Sequence, residues 1–321
     1  WKQASTYGAY IQLLTPAGVP KPGASRAQVS EASVHNVHGA AALYNPQANN
    51  YLLIYPERYQ KPDNSWGSHV ISQTVSVGGV PGPKVVLFDS PTYVSSGLPL
   101  DAAYDHVNNR YFVVAWEHTD KTAPGERGSQ YNAALLGPDG HLAGPVLTGS
   151  EGYIVSPQTT ARDVHALGFD AATETFLYVY TEYSEWGDTG ASPEFSSWLV
   201  AEQFDESGAR KAGPRVVEAP LDDANSGGYY DVQIGSHPSA ARYLIVYTTQ
   251  RSQFTQSLAP DGSKIGSRHA TLDPSSHGFP GPFHDAVSGG WLLFNGRNGI
   301  WPLDLDGAPS CPADTVHYGD A

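Results

Sequence analysis

The feature that most constrains the fold is an aromatic-led apolar run that recurs five times along the chain. Successive runs start 60, 65, 67 and 48 residues apart. Each run is rich in aromatic and β-branched residues and too short for a helix, which is typical of a buried strand. The runs are Tyr51–Tyr55, Tyr111–Trp116, Phe176–Tyr180, Tyr243–Tyr247 and Trp291–Phe294.

Two kinds of turn alternate with these runs. A polar residue stands six positions before each run, which predicts a short turn to a preceding strand. Glycine-centred turns lie between the repeats and predict a second hairpin, in which glycine supplies positive φ. The polar residues are Asn45, Asp105, Asp170, His237 and Asp285, and the glycine turns end at Gly18, Gly79, Gly140, Gly208, Gly262 and Gly307.

Two hairpins in each repeat make four antiparallel strands, and this period indicates a β-propeller. We predict an all-β, five-bladed β-propeller of four-stranded antiparallel blades, with a six-bladed ring as the alternative. Residues 1–321 form a single domain in this prediction. The sixth glycine turn is explained if residues 7–30 pair with the C-terminal blade of residues 279–310 and close the ring.

Composition excludes several classes of protein. The chain has 34 Gly, 25 Pro and only 16% charged residues, which suits a turn-rich β protein and argues against a helical bundle or coiled coil. The net charge of −14 argues against nucleic acid and anionic membranes as partners, because both bind basic patches. No apolar run approaches the roughly 20 residues that a membrane-spanning helix requires.

Cysteine and methionine usage bears on the compartment. The one cysteine, Cys311, excludes a disulfide within the chain and a zinc site built from cysteines. Methionine is absent, even at position 1, as expected of a processed secreted chain. The sequence has no Asn-x-Ser/Thr acceptor for glycosylation. We expect a secreted bacterial protein, extracellular or periplasmic, that is a monomer.

The long connections between strands are where we expect a ligand to bind. With the strands of each blade labelled A to D along the chain, the tight turns are the A–B and C–D connections. Long B–C loops are predicted at 57–69, 117–130 and 181–197, and long D–A loops at 148–162 and 217–229. Binding residues concentrate in such loops, and flat aromatic faces suit sugar rings. The predicted substrate-binding residues are Tyr59, Trp66, His118, Tyr183, Trp186 and Tyr230.

The starts of the predicted A strands bring His or Asp to the channel mouth in every blade. Carboxylates across a polar pocket divide into acid and base when their environments separate their pKa values, so we predict Asp101, Asp163 and Asp231 as catalytic residues.

A metal site and a structural role are the alternatives for these positions. His38, His165 and His284 could ligate a divalent metal in the central channel. In the structural alternative, the polar side chains only tie down loops by hydrogen bonds. Asp101 and Asp231 lie at even offsets from their turns and His38 and His165 at odd offsets, so both sets face inward only if a bulge intervenes.

Two resemblances support this interpretation. The repeat Asn-x-Tyr-Leu-x-Val-Tyr followed by Pro-Asp-Gly resembles that of secreted bacterial β-propeller repeat proteins. The stretches Tyr51–Tyr55 and Gly281–Phe294 are similar to strand pairs of five-bladed glycosidases of the arabinanase and xylosidase type. This second resemblance implies an Asp base, an Asp orienter and a Glu acid on three blades. The three predicted aspartates could match, whereas the Glu has no counterpart and His38 stands where that family has Asp.

Together these features favour a carbohydrate-active enzyme, either a glycoside hydrolase or a polysaccharide lyase, with one composite site at the channel mouth. A non-catalytic, lectin-like propeller and a His-ligated metal-binding or redox propeller are the alternatives. The unequal lengths of the predicted loops favour one composite site over one pocket per blade. The expected ligand is a glycan or another small polar molecule.

Overall fold

A computed structural model describes residues 10–15, 19–21, 27–29, 40–64, 66–90, 100–120, 127–149, 152–154, 164–186, 194–218, 229–249, 252–271, 281–295 and 299–309. These residues form 22 strands and no helix. Accordingly, none of the described segments is a helix that could cross a bilayer. The chain divides into two compact units, Trp1–Glu151 and Gly152–Ala321.

The first unit contains a short hairpin and two antiparallel meanders of four strands, each pairing in sequence order. The hairpin is β1 (Tyr10–Ile11) and β2 (Ala27–Gln28). Blade 1 consists of β3 (Ala41–Asn45), β4 (Asn50–Gln60), β5 (Trp66–Ser76) and β6 (Pro81–Ser90). Blade 2 consists of β7 (Leu100–Asp105), β8 (Arg110–Asp120), β9 (Arg127–Leu136) and β10 (Leu147–Thr148).

The second unit begins with β11 (Gly152–Ile154) and contains three further meanders. Blade 3 is β12 (His165–Asp170), β13 (Thr175–Trp186), β14 (Glu194–Phe204) and β15 (Arg210–Glu218). Blade 4 is β16 (Tyr229–Ser236), β17 (Tyr243–Thr249), β18 (Gln253–Leu258) and β19 (Lys264–Thr271). Blade 5 has β20 (Phe283–His284), β21 (Trp291–Asn295) and β22 (Gly299–Leu303) among the described residues. The predicted all-β propeller fold with four-stranded antiparallel blades is confirmed, while the number of blades stays a prediction.

The two kinds of predicted turn are both present. In the A–B turn of blade 1, Oδ1 of Asn45 accepts hydrogen bonds from the backbone N–H groups of Gln47 and Ala48, both at 2.9 Å. Such Asx turns fold because a short polar side chain satisfies backbone donors locally. The C–D turns place glycine in the left-handed region, with φ of 82°, 82°, 81°, 80° and 88° at Gly79, Gly140, Gly208, Gly262 and Gly307.

Alternation along the B strands gives each blade two apolar faces. In β4, Leu52 and Ile54 pack in one cluster with blade 2, whereas Leu53 and Tyr55 pack in another with Val29. In the second unit, the same alternation builds one core between blades 3 and 4 and another between blades 4 and 5. The core therefore consists of layers between successive blades within each unit.

The C–D glycines of blades 2, 4 and 5 lie against the blade that comes before them in the chain. A Cβ atom added at Gly140 of blade 2 would lie 2.9 Å from Cδ1 of Leu52 in blade 1. A Cβ atom added at Gly307 of blade 5 would lie 2.6 Å from Cδ1 of Leu244 in blade 4. These positions require glycine for its missing side chain as well as for its positive φ.

The N-terminal hairpin shares a backbone hydrogen bond with the C–D hairpin of blade 1. The N–H of Thr15 donates to the carbonyl of Val19 at 2.7 Å, as the N–H of Ser76 donates to the carbonyl of Val80 at 3.0 Å in blade 1. The hairpin also lies where a preceding blade would, because a Cβ atom at Gly79 would be 3.3 Å from Leu13. Its predicted pairing with the C-terminal blade stays a prediction.

Candidate functional site

The connections predicted as B–C loops are mostly strand, which corrects the sequence interpretation. Strands β4 and β5 stay paired as far as Gln60 and Trp66, and the corresponding hairpins of blades 2 and 3 end in the pairs Asp120–Arg127 and Trp186–Glu194. Backbone pairing continues beyond the buried core because each added pair satisfies its own N–H and C=O groups. The connecting segments are therefore only 61–65, 121–126 and 187–193.

Five of the six predicted substrate-binding residues consequently lie near the ends of long hairpins. The structure describes the side chain of Tyr59. For Trp66, His118, Tyr183, Trp186 and Tyr230 it describes only the backbone, in β5, β8, β13 and β16. The geometry of the candidate site is therefore built from Tyr59 and its neighbours.

Tyr59 belongs to a cluster of three side chains that spans β4, β5 and β6, which we call the Tyr59 cluster. Its ring stacks on the ring of His69, with centroids 4.0 Å apart and an angle of 7° between the planes. Its hydroxyl donates to Oδ1 of Asp89 at 2.9 Å. The same carboxylate oxygen lies 3.4 Å from Nδ1 of His69. Strand pairing explains this convergence, because His69 lies opposite Asp89.

Gly67 makes room for the ring of Tyr59. The two residues lie opposite each other in the β4–β5 pair. A Cβ atom added at Gly67 would lie only 2.6 Å from Cζ of Tyr59. Any larger residue at position 67 would displace the ring from its present place against the sheet and from its stack on His69.

The electrostatics of the cluster leave Asp89 as its exposed acceptor. Burial, followed by the hydrogen bond to Asp89 and the charge of that residue, raises the pKa of Tyr59, so the phenol stays protonated and donates. The side chain of Asp89 is 59% exposed. The nearby cation Lys84 is held by Glu57 at 2.7 Å. The cluster therefore offers ring surface and an exposed carboxylate, which suit a ligand rich in C–H faces and hydroxyl groups.

Asp101 and Asp231, two of the predicted catalytic residues, lie on A strands as expected. Oδ1 of Asp101 accepts from the N–H of Ala102 at 2.8 Å, and Oδ1 of Asp231 accepts from Nε2 of Gln233 at 3.2 Å. Both side chains are partly exposed. Asp163 lies outside the described residues. The catalytic role of all three stays a prediction.

Blade 4 has a bulge, but it lies beyond Asp231 as counted from the A–B turn and so does not change the face that Asp231 occupies. In the β16–β17 pair the register shifts between Tyr229 and Asp231, so Tyr230 is the extra residue. Asp101 in β7 lies opposite Val114, and His165 in β12 lies opposite Tyr180. Counted from their A–B turns, Asp101 and His165 therefore occupy opposite faces of their blades.

The histidines predicted as metal ligands occupy separate environments. Burial lowers the pKa of His165 to about 3, its Nδ1 is buried without a hydrogen-bond partner, and its ring centroid lies 6.1 Å from that of Tyr178. The ring of His284 packs edge-on against His237, with centroids 4.4 Å apart. His38 lies outside the described residues. Across the described residues, no three His, Cys, Asp or Glu side chains are grouped to hold a metal, and the metal site stays a prediction.

His69 and Asp89 were not among the predicted site residues. His69 was assigned to a loop, and Asp89 follows the apolar residues Val85–Phe88 as an ordinary strand-end charge would. A register for β4, β5 and β6 would have found both residues, because it places them side by side next to Tyr59.

Comparison with known proteins finds distant similarities among solved structures. No family model and no curated protein sequence matches the chain. Among solved structures, it is similar to a Penicillium chrysogenum alpha-L-arabinanase complexed with arabinobiose, with 14% identity, 94% of each chain covered and a TM-score of 0.48. It is also similar to a glucose dehydrogenase (13% identity, 87% of this chain and 84% of that chain covered, TM-score 0.43). It is similar as well to the β-propeller domain of Vanderwaltozyma polyspora Nup133 (8% identity, 88% of this chain and 84% of that chain covered, TM-score 0.34).

Proposed function

We propose that the protein is a carbohydrate-active β-propeller that binds a glycan at the ends of its B–C hairpins. The observation that carries this proposal is the Tyr59 cluster, in which stacked rings lie beside an exposed carboxylate. Sugar rings pack their C–H faces on aromatic side chains, and their hydroxyl groups donate to carboxylates. A glycan suits the cluster better than a nucleic acid, because Asp89 and the net charge of −14 repel phosphate.

Among blades 1, 2 and 3, only blade 1 has an aromatic residue at the position of Tyr59, which supports one composite site. Tyr59 lies nine residues after Asn50, the first residue of its B strand. The corresponding residues of blades 2 and 3 are Thr119 and Ser184, nine residues after Arg110 and Thr175. A lectin-like propeller with one similar pocket per blade would repeat the aromatic residue. We therefore favour a single-site enzyme, a hydrolase or a lyase, over a multivalent lectin.

Binding is tested first with a glycan array and then by titration calorimetry on the best oligosaccharide. We expect Tyr59→Ala to weaken binding about fivefold or more, since loss of a ring at the centre of a binding site costs more than about 1 kcal/mol. Tyr44→Ala is the matched control, because Tyr44 is exposed at the opposite end of the same blade. Equal affinities of Tyr59→Ala and the unchanged protein, or no glycan bound at all, would refute the proposal.

Catalysis is tested separately on the glycan that binds. We propose Asp101, Asp163 and Asp231 as the acid, base and orienting carboxylates. Each Asp→Asn variant should then lose product formation while calorimetry still detects the glycan, because the amide keeps the shape and removes the proton-transfer group. Reducing-end and unsaturated-product assays distinguish hydrolysis from elimination. Binding without product from the unchanged protein would leave the lectin-like alternative.

A further inference from the structure

The A–B turn of blade 4 carries a histidine where blades 1, 2, 3 and 5 carry Asn or Asp. His237 is 6% exposed. Its Nδ1 lies 3.3 Å from the N–H of Ser239 in its own turn, and its Nε2 lies 3.2 Å from the carbonyl oxygen of Gly289 in the A–B turn of blade 5. The imidazole therefore holds its own turn and also connects two blades.

These two contacts fit only one protonation state of the ring. The carbonyl oxygen of Gly289 can only accept, so Nε2 of His237 must carry a hydrogen. The N–H of Ser239 can only donate, so Nδ1 must offer its lone pair. A second proton would turn Nδ1 into a donor facing another donor. Both hydrogen bonds therefore require the neutral imidazole with hydrogen on Nε2.

Two rings pack against His237, and a carboxylate lies next to one of them in the chain. The ring of His284 lies edge-on at 4.4 Å, and the buried ring of Trp291 lies edge-on at 5.7 Å. Asp285, next to His284, has a pKa lowered chiefly by its hydrogen bond from Ser288. It therefore stays ionised in weak acid.

An ion pair also connects blades 4 and 5. We call the set of contacts between two successive blades their joint. Nη1 of Arg242 lies 2.7 Å from Oδ1 of Asp306. The same Nη1 donates to the carbonyl of Leu305 at 3.3 Å, and that carbonyl also accepts from Nε1 of Trp291 at 3.2 Å. Arg242 and Trp291 therefore share one carbonyl of blade 5, and the carboxylate partner of Arg242 is 60% exposed.

We propose that His237 makes the contact between blades 4 and 5 an acid-sensitive latch that is closed at neutral pH and released in weak acid. An imidazole takes up its second proton near pH 6.5 when it is free in water. The closed joint has no place for that proton, so acid favours the state in which the turns of blades 4 and 5 have separated. This inference does not depend on the Tyr59 cluster, which lies in the first unit.

Native-state hydrogen exchange, corrected for the intrinsic effect of pH, tests the latch in the full-length protein. Between about pH 7.5 and about pH 5.5, exchange in β16, β17 and β21 should rise about tenfold more than exchange in β3, β4 and β8. In His237→Asn the difference should vanish, because an amide offers both an acceptor and a donor without titrating. An unchanged pH response in that variant would overturn the proposal.

A measurement on the unchanged protein keeps the test decisive if His237→Asn does not fold. Nitrogen NMR of the histidine rings should show His237 with hydrogen on Nε2 and an unprotonated Nδ1 at neutral pH. Its titration should coincide with the rise in exchange of blades 4 and 5. A doubly protonated ring at neutral pH, or hydrogen on Nδ1, would contradict the geometry and the latch together.

Discussion

The A–B turns of blades 1 and 2 have the same backbone geometry as those of blades 4 and 5 but a different chemistry. In the first unit the two turns meet through neutral groups. The hydroxyl of Tyr104 donates to Oδ1 of Asn45 at 2.9 Å and to Oδ1 of Asn109 at 3.0 Å. Nδ2 of Asn45 donates to the same oxygen of Asn109 at 2.7 Å. Neither pH nor salt acts directly on these bonds.

In the second unit the corresponding joint depends on groups that titrate or carry charge. His237 bonds to the carbonyl of Gly289, and Arg242 forms an ion pair with Asp306. The repeat thus fixes the shape of a turn without fixing the chemistry that joins it to its neighbour. Sensitivity to pH and salt can therefore be confined to one part of a repetitive fold.

The largest expected effect comes from the C–D glycine, which is present at both joints. Gly140→Ala and Gly307→Ala should each destabilise the fold by about 1–2 kcal/mol from the positive φ alone, and by more because the new methyl meets a leucine. Gly144→Ala is the control, because no heavy atom lies within 4 Å of its Cβ position. Urea unfolding measures all three variants. A large loss in one joint and none in the other would break the equivalence of the joints.

The shared features were also those that could be predicted from the sequence. A polar residue six positions before each aromatic run marks the A–B turns, and Asp-Gly or Gly-Gly marks most C–D turns, because both depend on local backbone chemistry. The extent of β4 and β5 was missed. A loop was predicted at 57–69, whereas β4 continues as far as Gln60 and β5 begins at Trp66.

Contacts between strands explain why the site was harder to predict than the turns. Tyr59 was chosen for its aromatic ring, but its partners His69 and Asp89 become neighbours only through the register of three strands. The connection between His237 and Gly289 joins residues 52 positions apart. A single sequence gives the period of the repeat, and it does not give the side-chain pairs that this period brings together across blades.

A smaller effect should separate the two joints by their response to salt. Asp306→Asn removes a partly exposed ion pair with Arg242, and Tyr104→Phe removes the hydroxyl between two asparagines. We expect each change to cost about 0.5–1 kcal/mol at low ionic strength. In about 1 M NaCl the cost of Asp306→Asn should disappear, because salt screens the pair, while that of Tyr104→Phe should persist. Thermal unfolding at both salt concentrations measures this contrast, and equal salt responses would contradict it.

The smallest expected effect is a second acid transition in the A–B turn of blade 5. Hydrogen bonds from Ser288 and the N–H of Val287 lower the pKa of Asp285. A carboxyl group whose pKa is lower in the folded state contributes stability above its unfolded value, about 3.9, and loses it as the pH falls further. Below about pH 4, Asp285→Asn should therefore lose less stability on further acidification than the unchanged protein does. Between about pH 7 and pH 5, the free energy of unfolding should change with pH equally in Asp285→Asn and in the unchanged protein, because we attribute the change in that range to the His237 latch. A difference between the two proteins in that range, measured by denaturation curves, would contradict this assignment.

The contacts of the C–D glycines determine which apolar faces are exposed while the chain is being synthesised. At each joint described here, the later blade supplies the turn and the earlier blade supplies the leucine that the turn covers. A nascent chain therefore displays the leucine-bearing face of its newest blade until the next blade emerges from the ribosome. A chain that ends early, before Gly307, would leave Leu244 uncovered, whereas loss of the N-terminal hairpin would bare the turn at Gly79 and the apolar face that Val29 covers. Incomplete translation is thus expected to yield chains that chaperones retain by their last blade.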